Sequence, residues 1–174
     1  MWHAGDVSQS DSFPDFKIPH AEKIEWMIET SGWALEPVAP KYDSDPPCGA
    51  YAYTIGLPAS HRFPDIVVFG LTPVATKGIV ELVVEQLAHG VEVPLDTVLV
   101  GLLDNDLRCV FAEVDTQAHV DLFETAAKWY RGRPFEMVQL VWPDRDGWLP
   151  TESGFDASLT FAQPIIANRS WENT

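Results

Sequence analysis

Apolar positions change their period from one stretch of the chain to the next, and those changes mark its elements. Ile24, Met27 and Ile28 fall at i, i+3 and i+4, while Glu22, Glu25 and Glu29 fall elsewhere on the wheel. That pattern predicts an amphipathic helix from His20, and Gly32 is placed to end it. Residues 33–38 read as a short strand and residues 41–49, KYDSDPPCG, as a loop. Residues 50–57, AYAYTIGL, hold strand formers. The polar connection 58–65, bounded by Pro58 and Pro64, leads into the continuous apolar run 66–71, IVVFGL, which fits a strand buried on both faces.

Thr72-Pro73 opens the best helix, Thr72 as cap and Pro73 at the first helical position. Its apolar face is Ile79, Val80, Val83, Val84 and Leu87, and Gly90 stops it. Lys77 and Glu81 are spaced to pair, and Gly78 is read as allowing close packing on the sheet. Residues 98–103 and 107–114 are strand-like arms around Asp104-Asn105-Asp106, a predicted hairpin. Both arms are apolar on both faces, which places them centrally in the sheet. Residues 116–131 read as a third helix, with Val120, Phe123, Ala126, Ala127 and Tyr130 along one side. Residues 135–141 form the next strand, and residues 135–155 as a whole read as a hairpin with Trp142 and Trp148 packing across its turn.

Strands follow one another too often for a doubly wound sheet. The order predicts an α+β fold: a mixed, mainly antiparallel sheet with about three helices packed on it. Residues 20–166 form a single domain, residues 1–19 a flexible arm carrying Trp2, Phe13 and Phe16, and residues 167–174 a frayed tail.

Composition adds limits to this picture. The chain has 174 residues, enough for one good core, and 46% of them are apolar. Its 26 acidic and 11 basic residues give a formal net charge of −15. Such a surface repels nucleic acid and anionic lipid and attracts a basic protein or a cationic ligand. Cys48 and Cys109 belong to no CxxC pair, so reduced thiols in the cytoplasm are expected. No secretory signal and no apolar run of membrane-spanning length is visible.

Four stretches together, AYTIGL at 52–57, FPDIVVFGLTP at 63–73, VQLVWPDRDGWLP at 138–150 and Gln163-Pro164, resemble the bacterial family called domain of unknown function 4262. The likeness covers roughly residues 20–166. Asp65 stands where that family commonly has Glu, and Leu149-Pro150-Thr151 replaces its usual Phe-Pro-Trp. The resemblance implies an α+β fold and a bacterial cytosolic setting, and no established activity or catalytic residue.

Candidate chemistry is sparse. Asp144-Arg145-Asp146-Gly147 matches the middle of a calcium loop, but that alignment puts Trp142 and Ser153 at essential ligand positions. Turn residues packed between tryptophans account for it better, with Arg145 free to pair with Glu152 or with an acidic residue elsewhere in the fold. His61 lies in a polar loop, and no H-x-x-x-H or H-E-x-x-H spacing exists, so no metal site is predicted. There is no G-x-S-x-G, and no glycine-rich loop precedes a helix, so no cofactor is implied. Ser60 adjoins His61, Cys109 sits in an apolar strand, and Cys48 follows two prolines in a loop.

Two functions from different classes fit. One is a binding module for a basic protein partner, in the manner of an immunity protein, or for a small ligand, whose site gathers Tyr53, His61, Trp142, Asp144, Arg145 and Gln163. The other is a hydrolase-type enzyme between the 58–65 loop and the 142–148 turn, with His61 as base and Asp144 or Asp146 orienting it. The second requires His61 to lie within about 10 Å of one of those carboxylates.

Overall fold

A computed structural model describes residues 19–173 of the chain. The predicted arm, with Trp2, Phe13 and Phe16, lies outside the described residues apart from Pro19. In order come α1 (His20–Ser31), β1 (Ala34–Val38), β2 (Tyr51–Ile55), α2 (Leu57–His61) and β3 (Asp65–Phe69). Then follow α3 (Pro73–Ala88), β4 (Leu99–Val100), β5 (Arg108–Val114), α4 (Glu124–Trp129) and β6 (Met137–Val141). Among the described residues these six strands form one sheet in the order β1-β2-β3-β6-β5-β4. Only β3 and β6, at its centre, run parallel; the other neighbours are antiparallel. The fold is α+β with a mixed, mainly antiparallel sheet.

The two-residue period of each strand sends alternate side chains to opposite faces. Ile66 and Val68, Val138 and Leu140, and Cys109 and Phe111 meet Val80 and Val83 of α3, with Trp33, Leu57 and Phe63 filling the margin. Complete burial of a valine stabilises the fold by about 1.5–3 kcal/mol relative to exposure, so the α3 stripe is a main source of its cohesion. Tyr51, Tyr53, Ile55, Val67, Phe69 and Met137 point the other way, onto Ile24 of α1, Ala126 of α4 and Phe123 just before it. Where α1 and α4 do not reach, Leu149, Ala167 and Trp171 cover Val110, Ala112 and Val141.

Helix ends follow the local chemistry. Gly32 ends α1 in the left-handed conformation (φ 85°), and its N–H bonds the Ile28 carbonyl at 2.7 Å. The Thr72 hydroxyl accepts the Ala75 N–H at 3.2 Å, with Pro73 opening α3. The Lys77–Glu81 pair forms at 3.3 Å.

Several local expectations are corrected. The 58–65 connection holds the short helix α2. Gly78 faces solvent, with nothing near the position of a Cβ, so it does not serve packing. The arm at 98–103 shrinks to the two residues of β4, which lie at the sheet's edge. The third helix is reduced to α4 and a 3-10 turn at Val120–Leu122, because the Asp115 carboxylate bonds the N–H groups of Gln117 and Ala118 and holds a turn there. Among the described residues no second hairpin strand follows β6. Trp142 lies against Gly70 while Trp148 lies over Gly154, so the two tryptophans serve different contacts. The tail is docked: Trp171 is 3% exposed, because a large apolar ring gains more from the uncovered sheet than from water.

Candidate functional site

The predicted site residues divide between the two ends of the sheet. Because β3 and β6 are parallel, His61 lies beyond their shared start, and Trp142, Asp144, Arg145 and Asp146 lie beyond their shared end. A five-residue strand spans roughly 13 Å. Local contacts hold both groups in place. Ser60 and His61 pack beside Gly32, at the start of β1, and Arg108, at the start of β5, donates to the Gly147 carbonyl at 2.7 Å. The pairing of His61 with Asp144 or Asp146 that base catalysis requires is therefore not assembled. Tyr53 is in neither group. It is buried in mid-strand, and its phenolic oxygen accepts the Thr125 N–H at 3.2 Å.

Trp142, Asp144 and Gln163 do converge, but on the protein's own backbone. The Gln163 amide accepts from the Trp142 N–H and donates to the Trp142 carbonyl, both at 2.9 Å. The Trp142 indole N–H donates to the Phe69 carbonyl at 2.8 Å. Asp144 accepts the N–H groups of Asp146 and Trp148 on Oδ1, both at 2.9 Å, and that of Asp156 on Oδ2 at 2.8 Å. Burial acts to raise its pKa. The backbone N–H groups of Asp156, Trp148, Asp146 and Gly147 outweigh that and hold the carboxyl below the usual range. Of the partners expected for Arg145, Glu152 is taken by another residue. Glu152 is held in a fork by Arg108 at 2.6 and 2.7 Å, because Arg108 projects from the adjoining strand while Arg145 sits exposed at the turn's tip.

At the opposite end lies a buried polar network. The Asp65 carboxylate accepts from Thr54 Oγ1 at 2.9 Å, from the Leu57 N–H at 3.1 Å, and from the Tyr130 hydroxyl. Tyr130 in turn accepts the Gly56 N–H at 3.0 Å. Burial pushes the Asp65 carboxyl up to about 6, although its hydrogen bonds pull the other way. A carboxylate flush with the apolar run IVVF was the available sequence signal, since an unpaired buried charge is rarely tolerated. Nearby, Ser60 Oγ and His61 Nδ1 are 2.7 Å apart, and Ser60 donates to the Gly56 carbonyl at 3.1 Å. A hydroxyl has one proton to give, so the serine ties down α2 and accepts from the imidazole.

The sheet edge at β4 presents exposed apolar side chains. Val100 is 63% exposed there, with Val91, Val98 and Leu107 exposed around it. Carboxylates frame the patch: Glu92 on the same groove wall as Val91, Asp96 bonded to the backbone of β5, and Asp104 and Asp106 in the turn between β4 and β5. The opposite edge, β1, is blunted by Pro37 and by Glu36, which His20 engages.

These features define a small acidic α+β domain with one protected and one open sheet edge. The chain belongs to the family described as Domain of unknown function (DUF4262), whose model matches residues 27–156. No match was found among curated proteins or among solved structures. Among the described residues no helix is long and apolar enough to cross a membrane.

Proposed function

We propose that the protein is a cytoplasmic binding module that takes up a basic, extended segment of a partner protein along β4. The observation that carries this reading is the exposed apolar edge of Val98 and Val100 framed by Glu92, Asp96, Asp104 and Asp106. An edge strand offers unpaired N–H and C=O groups, and an incoming strand adds main-chain hydrogen bonds while its alternate side chains meet the valines. The carboxylates select for lysine and arginine on that strand and repel a second copy of this acidic chain. The free thiols of Cys48 and Cys109 fit a reducing compartment.

The test is titration of the protein with an eight-residue peptide of alternating lysine and valine, followed by amide chemical shifts. Binding is expected to move the amides of residues 98–101 and 107–109. It is expected to weaken by tenfold or more in Val100→Lys, and similarly between low and high salt, because the steering is ionic. Shifts confined elsewhere, or equal affinity in Val100→Lys, overturn the reading.

A further inference from the structure

The chain's positive charge is not spread evenly. Residues 125–135 contain Lys128, Arg131 and Arg133 and no carboxylate, in a chain of net charge −15. Among the described residues, none of these three cations makes a salt bridge. Lys128 and Arg131 stand on the rim of a cleft of about 470 Å³ between α1 and α4. Ile24 and Trp129 give that cleft apolar walls, and Glu25 is its one carboxylate. A volume of that size suits a small molecule. His20, also on the rim, is already engaged by Glu36.

The backbone at Arg131 is the second observation. α4 closes with the Gly132 N–H on the Ala127 carbonyl and the Arg131 N–H on the Lys128 carbonyl, both at 3.1 Å. This closing motif puts its first residue after the helix in the left-handed region, a place glycine takes without strain. Arginine occupies it here, at φ 55°, and the glycine stands one residue later. A long charged side chain held in a disfavoured backbone conformation, and lining both this cleft and the neighbouring one beside Asp121 and Glu124, points to a use for the side chain.

We infer that the α1–α4 cleft binds a small organic anion with an apolar body. Lys128 and Arg131 hold its carboxylate, sulfonate or phosphate, and Ile24 and Trp129 receive the body. Arginine supplies the planar fork for two anion oxygens and lysine a point charge beside it. Glu25 disfavours ligands carrying a second negative charge at the α1 wall. This site is independent of the β4 edge, since α1 and α4 cover β1 to β3 on one face and β4 closes the other end of the strand order.

The test uses anilinonaphthalene sulfonate, an aromatic anion whose fluorescence rises in an apolar site, on the full chain. The wild type is expected to bind it saturably at one site, more weakly as salt rises. Arg131→Gly is the discriminating variant. It relieves the left-handed arginine, so its melting temperature is expected to equal or exceed that of the wild type while probe affinity falls at least tenfold. Lys128→Gln, at an exposed position, is expected to lower affinity severalfold with no change in melting temperature, and Ala21→Trp to block the cleft. Wild-type affinity in Arg131→Gly and Lys128→Gln, retained binding in Ala21→Trp, or no saturable binding by the wild type overturns the inference.

Discussion

The Tyr130 hydroxyl donates to the Asp65 carboxylate and ties the end of α4 to the first residue of β3, 65 residues earlier in the chain. Both groups are removed from water, and both titrate later than usual. Burial is the main cause in each case, and for Tyr130 the neighbouring Asp65 charge adds to it. For Asp65 the sign is worked out directly. Its folded pKa of about 6 lies above the ordinary value of 3.8, so the folded state holds the proton more tightly than the unfolded chain. The resulting stability is fully present below pH ~4 and is lost as pH rises through about 6. Asp65→Asn keeps an oxygen for Thr54 and Leu57 and does not titrate. Urea unfolding at pH 4 and pH 7 is expected to show the wild type losing up to about 3 kcal/mol relative to Asp65→Asn across that window. A constant difference between the two proteins would show that Asp65 ionises as it does in water.

Gln139 projects from β6 onto the face covered by the C-terminal segment and pins that segment. Its amide donates to the Pro164 carbonyl at 2.7 Å and accepts from Ile166 and Ala167 at 2.9 and 3.2 Å. Replacement by leucine keeps the volume and strands these three backbone groups. A cost of about 3 kcal/mol is expected, since each unsatisfied buried group costs roughly 1–3 kcal/mol and water will reach some of them. Hydrogen exchange at Ile166 and Ala167 should accelerate while Val68, in the sheet centre, stays protected. Unchanged protection at Ile166 would mean that the packing of Ala167 and Trp171 and the Asn168 N–H bond to the Glu113 carbonyl hold the segment without Gln139.

Much of this architecture was legible in the chain because its signals are local. The i, i+3, i+4 stripe of α1, the Thr72-Pro73 opening of α3 and the apolar run of β3 each lie within one short window. What the sequence hid depends on distant partners. Val98 and Val100 have the composition of a central strand, yet among the described residues no strand lies beyond β4 to cover them. Trp171 looks like part of a polar tail until the exposed face of β5 and β6 is known. Trp142 and Gln163 stand among the six residues expected to share a ligand site, but the Gln163 amide is spent on the Trp142 backbone and the Trp142 indole N–H on the Phe69 carbonyl. Asp65 and Tyr130 were each visible, but nothing in the sequence joins them. The three cations at 128–133 were the one missed signal that charge counting alone would have found.

Two glycines give opposite expectations for the same substitution. Gly70 has φ 81°, and a Cβ there meets the Ala162 carbonyl oxygen at 2.9 Å and Trp142 Cζ2 at 3.1 Å. Gly70→Ala therefore incurs both left-handed strain and a clash with backbone, and a loss above about 2 kcal/mol is expected. Gly78 is helical and exposed, with open space around it. Gly78→Ala is expected to stabilise by about 0.5–1 kcal/mol through helix propensity and a less flexible unfolded chain. Chemical denaturation of the two variants checks both signs, and a destabilised Gly78→Ala would restore a packing role for that residue.

Asp144 supplies the counterpart to Asp65 at the other end of the strands. Burial opposes its charge, but four backbone N–H groups more than offset that, and its folded pKa lies below the ordinary 3.8. Its contribution is therefore present above the ordinary aspartate value and is lost as pH falls through the depressed folded value, the reverse of Asp65. Asparagine cannot replace it. One amide oxygen can serve Asp146 and Trp148, but the amide nitrogen then faces the Asp156 N–H, donor against donor. Asp144→Asn is thus expected to melt well below the wild type at pH 7, nearer to Asp144→Ala than to the wild type. The gap should narrow as pH falls below the ordinary aspartate value toward the depressed folded one, where the wild-type carboxylate takes up its proton and loses the same acceptor. Thermal melts of the three proteins at pH 7 and pH 3 decide it. A gap that is independent of pH would show that the turn depends on the shape of the side chain and not on its charge.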